Sequence, residues 1–425
     1  MADWTAQVFS NEYLPDGATD VHAIVTVTSA DTGSAGGGDA STTAEAIIVD
    51  CSGSMSSPAS KIVAARKAAA AAVMEIADGT WFTLIAGVGL AEIVYPRRGM
   101  AQADDRTRRE AADAAARLQP TGGTAIGQWL VTALQQFQTC AATQRHAILL
   151  TDGKNEGETA EQLRREMDQV TGQFQCDCRG VGADWDVEEL RGLATTLLGS
   201  VDLIADPEDM AADFQALMRT AGQRGIADAR LRVWAPQGAQ ALFVRQVAPT
   251  IEDLTSRGQA VSNLITQYPT GAWGDESRDY HVAVRVGAKP IGSEQLAGRV
   301  QIEVGGNTVA QALIKAVWSD DSGLTTRINP AVAHYTGQAE LADAIQEGLA
   351  AKAAGDEEQA TAKLGRAAKL AAETGNEEAT TRLKKVVDID DAEQGTVRLK
   401  REASKLDEMA LDTASTKTTR VRPKQ

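Results

Sequence analysis

Residues 44–54 read AEAIIVDCSGS, and this short stretch decides the fold class. It begins as a largely apolar run of the kind that forms a strand buried on both faces of a sheet. The run stops at Asp50, small and polar residues follow it, and an Ala-rich segment typical of a helix occupies 60–77. A buried strand, a polar turn and a helix in this order predict a parallel α/β unit.

The same alternation continues on the C-terminal side of the turn, up to about residue 222. Strands are predicted at 81–87, 92–96, 146–152, 174–182 and 201–204, and helices at 104–118, 125–138, 159–171, 187–195 and 207–222. Because these strands are apolar and the helices are long enough to cover them, we expect a doubly wound, mostly parallel sheet with helices on both faces.

Short alternating segments, typical of antiparallel strands, lie on both sides of the α/β region, at 4–30 and at about 228–320. A linker at 33–40 contains four glycines and separates the first segment from the α/β region. We therefore predict that the α/β domain is inserted in a β-sandwich. The predicted domains are the N-terminal strands with the linker (1–40), the α/β domain (41–223), the β-sandwich (224–330), a helical region (331–411) and a disordered basic tail (412–425).

Composition excludes several classes of function. Acidic residues outnumber basic ones by 58 to 42, which gives a net charge of −16 and argues against binding to nucleic acid or to an anionic membrane. The N-terminus has no apolar core of a secretory signal, and no segment is long and apolar enough for membrane insertion. Four cysteines are too few for a disulfide framework in 425 residues. These features predict a soluble protein of the reducing cytoplasm.

Three polar motifs fall at one edge of the predicted sheet. The side chains concerned are Asp50, Ser52 and Ser54 after the first buried strand, Thr124 after the TGG of 121–123, and Asp152 at the end of a later strand. In open α/β sheets, ligands bind at the carboxyl ends of the strands. Hydroxyl and carboxylate oxygens are hard donors, so these residues predict a site for Mg²⁺ or Mn²⁺ rather than for zinc or copper. A phosphate cradle formed by 122–127 is a second hypothesis.

Together the motifs resemble the metal-ion-dependent adhesion site of the von Willebrand factor A domain family, in its bacterial cytoplasmic type. That site has the pattern DxSxS, then a threonine after glycines, then an aspartate that ends a strand, and the whole pattern occurs within residues 44 to about 222. The resemblance implies a role for each residue: Ser52 and Ser54 bind the metal directly, Thr124 directly or through water, and Asp50 and Asp152 mainly through water.

The resemblance also implies binding rather than catalysis, because a carboxylate from a partner protein completes the coordination of the metal. We therefore expect a non-enzymatic adaptor or scaffold, of a kind used in signalling, that binds an Asp or Glu of its partner. An alternative is an accessory subunit that presents substrate to an AAA-type or chelatase-like ATPase. A hydrolase with Asp50 or Ser52 as nucleophile is a third hypothesis, which the four scattered histidines do not favour.

Other chemically suggestive residues have structural interpretations. Cys176 and Cys178 lack a second thiol pair and are predicted to be small buried residues. His146 comes just before a buried strand and is predicted to be structural. Asp184 and Asp186 are predicted to cap the helix that follows them.

The C-terminal tail differs in charge from the rest of the chain. From Thr413 onward it has four basic side chains and no acidic one. With no apolar period it is predicted to be a solvated, disordered end. A second hypothesis is that its threonines, at 413, 416, 418 and 419, are phosphorylated by a kinase and then bind a phosphothreonine-binding module.

Overall fold

The computed structural model describes residues 2–32 and 42–420, and the chain forms two compact units. One unit comprises Met1–Ser34 and Asp228–Gln425, and the other comprises Ala35–Ala227. The linker predicted at 33–40 lies outside the described residues. The chain begins with three strands of the first unit: β1 (Asp3–Ser10), β2 (Tyr13–Leu14) and β3 (Asp20–Ala30).

The second unit is the predicted α/β domain. Its elements are β4 (Thr43–Asp50), α1 (Ser60–Glu75), β5 (Trp81–Gly87), β6 (Glu92–Tyr95), β7 (Ala101–Gln102), α2 (Asp105–Ala115), α3 (Ile126–Phe137), β8 (Gln144–Thr151), α4 (Ala160–Val170), β9 (Gln175–Val181), α5 (Val187–Thr196), β10 (Val201–Ile204) and α6 (Met210–Gly222). The strand order is β10-β9-β8-β4-β5-β6, and β7 also pairs with β5. Strands β10, β9, β8, β4 and β5 are parallel, whereas β6 and β7 run antiparallel to β5. This sheet confirms the predicted fold class.

The centre of the sheet is apolar because β4 is buried along most of its length. Ile47 pairs with Leu84 of β5 on one side and with Ile148 of β8 on the other, and all three are fully buried. Helix α3 packs closely on this sheet, since a Cβ atom at Gly87 would lie only 2.7 Å from the ring of Trp129. The helix that follows the Thr124 loop is therefore held firmly against the strand next to β4.

The first unit contains two further sheets. Its later strands are β11 (Ala229–Trp234), β12 (Gln240–Ala248), β13 (Glu252–Asp253), β14 (Gln259–Ser262), β15 (Ile265–Pro269), β16 (Glu276–Arg285), β17 (Glu294–Val304) and β18 (Asn307–Trp318). One sheet has the order β1-β3-β16-β12-β13 and the other β14-β15-β11-β17-β18-β2. Because β3 pairs with both β1 and β16, the N-terminal strands share a sheet with strands that follow the α/β domain.

The predicted helical region at 331–411 is not entirely helical. Its elements are α7 (Ser322–Thr325), α8 (Pro330–Ala353), α9 (Glu357–Glu373), α10 (Glu377–Val386), β19 (Val387–Asp391), β20 (Thr396–Leu399) and α11 (Lys405–Ala414). The β19–β20 hairpin was missed because it is short and lies between helices. Its turn packs against α9 at two glycines, since a Cβ atom at Gly365 would lie 2.2 Å from the carbonyl oxygen of Gly395.

None of the helices in the described part of the chain combines the length and the apolar composition that crossing a bilayer requires.

The tail predicted to be disordered from 412 onward is instead docked as far as residue 420. The Ile251 N–H donates to the carbonyl of Thr416 at 2.8 Å, and the Thr418 N–H donates to the carbonyl of Pro249 at 3.1 Å. The Thr418 hydroxyl donates to the carbonyl of Val247 at 2.6 Å. The prediction was wrong because backbone groups and a threonine hydroxyl make these contacts, and an apolar period does not report them.

A charged side chain completes the docking of the tail. The Arg420 guanidinium donates to both carboxylate oxygens of Asp279, at 2.8 and 3.0 Å, and Asp279 is buried in β16. The Tyr335 hydroxyl of α8 donates to the same carboxylate at 2.5 Å. Docking also changes the accessibility of the tail threonines, because Thr413 is buried and Thr419 is exposed.

Candidate metal centre

Asp50 is the last residue of β4 and is held by two neighbours. One of its carboxylate oxygens accepts a hydrogen bond from the Ser52 N–H at 2.7 Å, and the other accepts one from the Thr151 hydroxyl at 2.6 Å. The side chain is fully buried. The first bond shapes the turn after β4, and the second ties this turn to the end of β8.

The hydroxyls of the turn lie beside Asp152. The Ser52 and Ser54 hydroxyl oxygens are 2.8 Å apart, and the Ser54 hydroxyl donates to Asp152 Oδ1 at 2.6 Å. Neighbouring ligands in an octahedron around Mg²⁺, each about 2.1 Å from the ion, are separated by about 3 Å. The spacing and the hard oxygen donors of these residues therefore fit a small divalent cation.

The loop that carries Thr124 is seated on the same turn. The Thr121 N–H donates to the Cys51 carbonyl at 2.5 Å, and the Gly53 N–H donates to the Gly122 carbonyl at 3.0 Å. A Cβ atom at Gly153 would lie 3.4 Å from the Ser54 hydroxyl oxygen and 3.6 Å from that of Thr124. The structure thus brings all five predicted residues to one edge of the sheet.

The environment of Asp50 favours a nearby cation. Burial raises the pKa of the Asp50 carboxyl above its ordinary value, although the hydrogen bonds from Ser52 and Thr151 oppose this effect. The ionised form is costly because water is excluded, and a divalent cation at the adjacent hydroxyls would offset that cost.

Lys61 is the residue of this centre that the sequence analysis missed. Its ammonium donates to Asp152 Oδ2 at 2.7 Å, and its side chain is only 9% exposed. One signal could have found it: Lys61 lies in the first turn of α1, where the helix dipole disfavours a cation that has no anionic partner.

The two aspartates predicted as helix caps have different roles. Asp186 caps α5, because its carboxylate accepts from the Glu189 N–H at 3.0 Å. Asp184 does not cap the helix. Its carboxylate lies 3.6 Å from the Lys61 ammonium, and its side chain is 72% exposed.

The remaining candidates are structural. Cys176 and Cys178 are fully buried on β9, and all four cysteines of the chain are free thiols. Among the described residues, no cluster of three or more His, Cys, Asp or Glu side chains has the arrangement of a metal site. His146 Nδ1 lies 2.7 Å from a Glu45 oxygen, and its Nε2 lies 2.8 Å from an Asp177 oxygen. Both ring nitrogens are therefore bonded inside the sheet, as the structural interpretation expects.

The His146 cluster predicts a loss of stability in alkaline solution. Burial by itself would lower the pKa of the imidazole, but Glu45 and Asp177 raise it to about 9. In the unfolded chain the pKa of the imidazole is about 6.5. The charged cluster therefore stabilises the folded state fully below pH 6.5, and this stabilisation, on the order of 3 kcal/mol, is lost as the pH rises through 9. Urea unfolding at pH 6.5 and 9.5 should show this loss in the wild type and a flatter dependence in His146→Gln. Equal pH dependence in the two proteins would contradict the assignment.

The fold is that of a von Willebrand factor A domain, and comparisons with known proteins agree. Residues 46–202 match the family model of the von Willebrand factor type A domain, and residues 369–415 match that of the von Willebrand factor type A C-terminal domain. A von Willebrand factor type A protein from Catenulispora acidiphila is 45% identical, with coverage of 99% of this chain and 97% of that one and a TM-score of 0.93. The chain therefore belongs to the von Willebrand factor type A family.

More distant structures share the fold alone. The ArnB paralog VWA2 from Sulfolobus acidocaldarius has a TM-score of 0.58 at 16% identity, with coverage of 97% of this chain and 98% of that one. The human COPII-coat protein Sec24c has a TM-score of 0.55 at 9% identity, with coverage of 89% and 58%. No curated protein matches the chain at a significant level.

Proposed function

We propose that this chain is a non-enzymatic adaptor or scaffold of the cytoplasm that binds an acidic side chain of a partner protein through a divalent cation, Mg²⁺ or Mn²⁺. The observation that carries the proposal is the convergence of hydroxyl and carboxylate oxygens at the end of β4. Ser52 and Ser54 would bind the cation directly, Thr124 directly or through water, and Asp50 and Asp152 mainly through water.

The charge of the centre supports binding of an anion. When bound, the cation supplies an electrophilic position at which a carboxylate oxygen replaces a water molecule. The direct ligands of this arrangement are neutral hydroxyls, so the positive charge is only partly compensated by nearby side chains. An Asp or Glu of a partner protein is the side chain with the matching charge and donor atom.

The burial of Asp50 and Ser52 supports a binding role rather than catalysis, and the free cysteines support a reducing compartment. Asp50 is fully buried with both carboxylate oxygens hydrogen-bonded, and Ser52 is 3% exposed, which is unfavourable for a nucleophile that must reach a substrate. The four free cysteines agree with a cytoplasmic location.

Affinity capture from native lysate tests the proposal. The full chain is immobilised and exposed to lysate in Mg²⁺ and in EDTA, in parallel with the Ser52→Ala/Ser54→Ala variant. We expect a partner that the wild type retains in Mg²⁺, releases in EDTA and loses on the double substitution. Retention of the same proteins under all three conditions would contradict the proposal. An ATPase among the proteins released by EDTA would instead favour an accessory subunit of an ATP-driven complex.

A further inference from the structure

Lys61 places its ammonium group inside the centre. Its ammonium bonds to one oxygen of Asp152, and the hydroxyl of Ser54 bonds to the other oxygen of the same carboxylate. The lysine side chain is 9% exposed and the Asp152 side chain is fully buried, so solvent screens this pair only weakly. The ammonium is therefore part of the electrostatic environment that any cation at the hydroxyls would meet.

We propose that Lys61 is a tethered cation that sets the net charge of the metal centre, weakening the hold on the divalent ion while strengthening the hold on the partner's carboxylate. The inference rests on the proposed function and identifies Lys61 as a residue that controls specificity for an anion. It is a positioning and charge-setting residue, because its ammonium contacts Asp152 rather than the hydroxyl ligands.

The charge balance gives the direction of both effects. In the metal-loaded centre the carboxylates of Asp50 and Asp152 supply two negative charges, and the nearby Lys61 ammonium supplies one positive charge. A divalent ion then leaves the centre with one net positive charge, which attracts a carboxylate. Without Lys61 the loaded centre would be neutral: the ion would be bound more tightly and the carboxylate more weakly.

Two features distinguish this role from ordinary helix stabilisation. Lys61 lies in the first turn of α1, where the helix dipole opposes a cation, so its position is unfavourable for the helix itself. Its other acidic neighbour, Asp184, is 3.6 Å away and 72% exposed, so solvent screens the Asp184 charge more strongly than that of Asp152. The charge of Lys61 therefore acts mainly on the centre.

The test measures metal and carboxylate binding separately on the full chain. Titration calorimetry in chelator-stripped buffer gives the Mn²⁺ affinity of the wild type, of Lys61→Met and of Lys67→Met, a matched control at an exposed lysine of the same helix. Acetate binding to the Mn²⁺-loaded proteins is then measured from the relaxation rate of water protons, which falls as acetate displaces metal-bound water. We expect Lys61→Met to bind Mn²⁺ at least about ten-fold more tightly and acetate at least about ten-fold more weakly, and Lys67→Met to match the wild type.

A second variant keeps the test decisive if Lys61→Met does not fold. Asp184→Asn removes an exposed negative charge beside Lys61. It should therefore weaken Mn²⁺ binding and strengthen acetate binding, each by about two- to five-fold. Wild-type binding of Mn²⁺ with unchanged affinities in these variants would overturn the role of Lys61 alone. Failure of the wild type to bind Mn²⁺ would overturn the proposed function together with this inference.

Discussion

The Ser52→Ala/Ser54→Ala variant is expected to lose metal binding, with an Mn²⁺ affinity at least about 100-fold below that of the wild type. The two hydroxyls are 2.8 Å apart at the centre, and although their removal takes one hydrogen bond from Asp152, that carboxylate stays paired with Lys61. In the wild type, Mn²⁺ at 100 times its dissociation constant should stabilise the folded state by about 2.7 kcal/mol, because only the folded state brings the ligands together. Calorimetric titration and thermal unfolding with and without Mn²⁺ measure both effects.

Cys51→Ser is the matched control for this prediction. Cys51 lies in the same turn, but its side chain is fully buried in the apolar core of the α/β domain together with Val49 and Met55. A hydroxyl there should lower the free energy of unfolding by about 1–2 kcal/mol and leave the Mn²⁺ affinity unchanged. If Mn²⁺ raises the melting temperature of the double serine variant as much as that of the wild type, the ion binds elsewhere.

Deletion of residues 415–425 is expected to destabilise the unit that contains the two antiparallel sheets. The deletion removes the backbone bonds of Thr416 and Thr418 to the segment 249–251, and it leaves the buried Asp279 carboxylate without its arginine. Loss of one partner of a buried ion pair costs several kcal/mol, and the partial exposure of Arg420 reduces this cost to roughly 2–4 kcal/mol. For a unit of this size the melting temperature should fall by roughly 5–10 °C, measured by calorimetry.

Single and double substitutions separate the contributions to this effect. Arg420→Gln should reproduce much of the loss, whereas Arg420→Gln/Asp279→Asn should recover part of it because no charge is then left buried without a partner. Thr419→Ala, at an exposed position of the same segment, should have little effect. An unchanged transition after deletion would show that the docked tail contributes nothing to stability.

The sequence predicted most of the α/β domain because local patterns determine it. The buried strands are continuous apolar runs, and the polar residues that end β4 and β8 mark the same sheet edge. The sequence therefore predicts that Asp50, Ser52, Ser54, Thr124 and Asp152 lie close together at that edge. The sequence marks Lys61 only by its place in the first turn of a predicted helix, because its partner Asp152 lies 91 residues away and only the fold brings the two together.

The C-terminal part was harder to predict because its contacts are not periodic. The tail is polar and rich in threonine, a composition typical of disorder, yet it docks through backbone hydrogen bonds and the Arg420–Asp279 pair, 141 residues apart in sequence. Composition reports how much apolar surface a segment can bury, and it does not report whether the rest of the chain offers a strand edge and a buried carboxylate to that segment.

The pairing of β3 with β16 has a consequence for synthesis on the ribosome. The Thr28 hydroxyl bonds to that of Ser277, 249 residues later in the chain. At 5–20 residues per second, roughly 12–50 s pass between the synthesis of β3 and that of β16. The α/β domain, which lies between these strands in sequence, is synthesised during this interval. During that interval one edge of β3 has no native partner, so nascent chains stalled before residue 276 should bind chaperones and aggregate more readily than chains long enough for residues 276–285 to have left the ribosome.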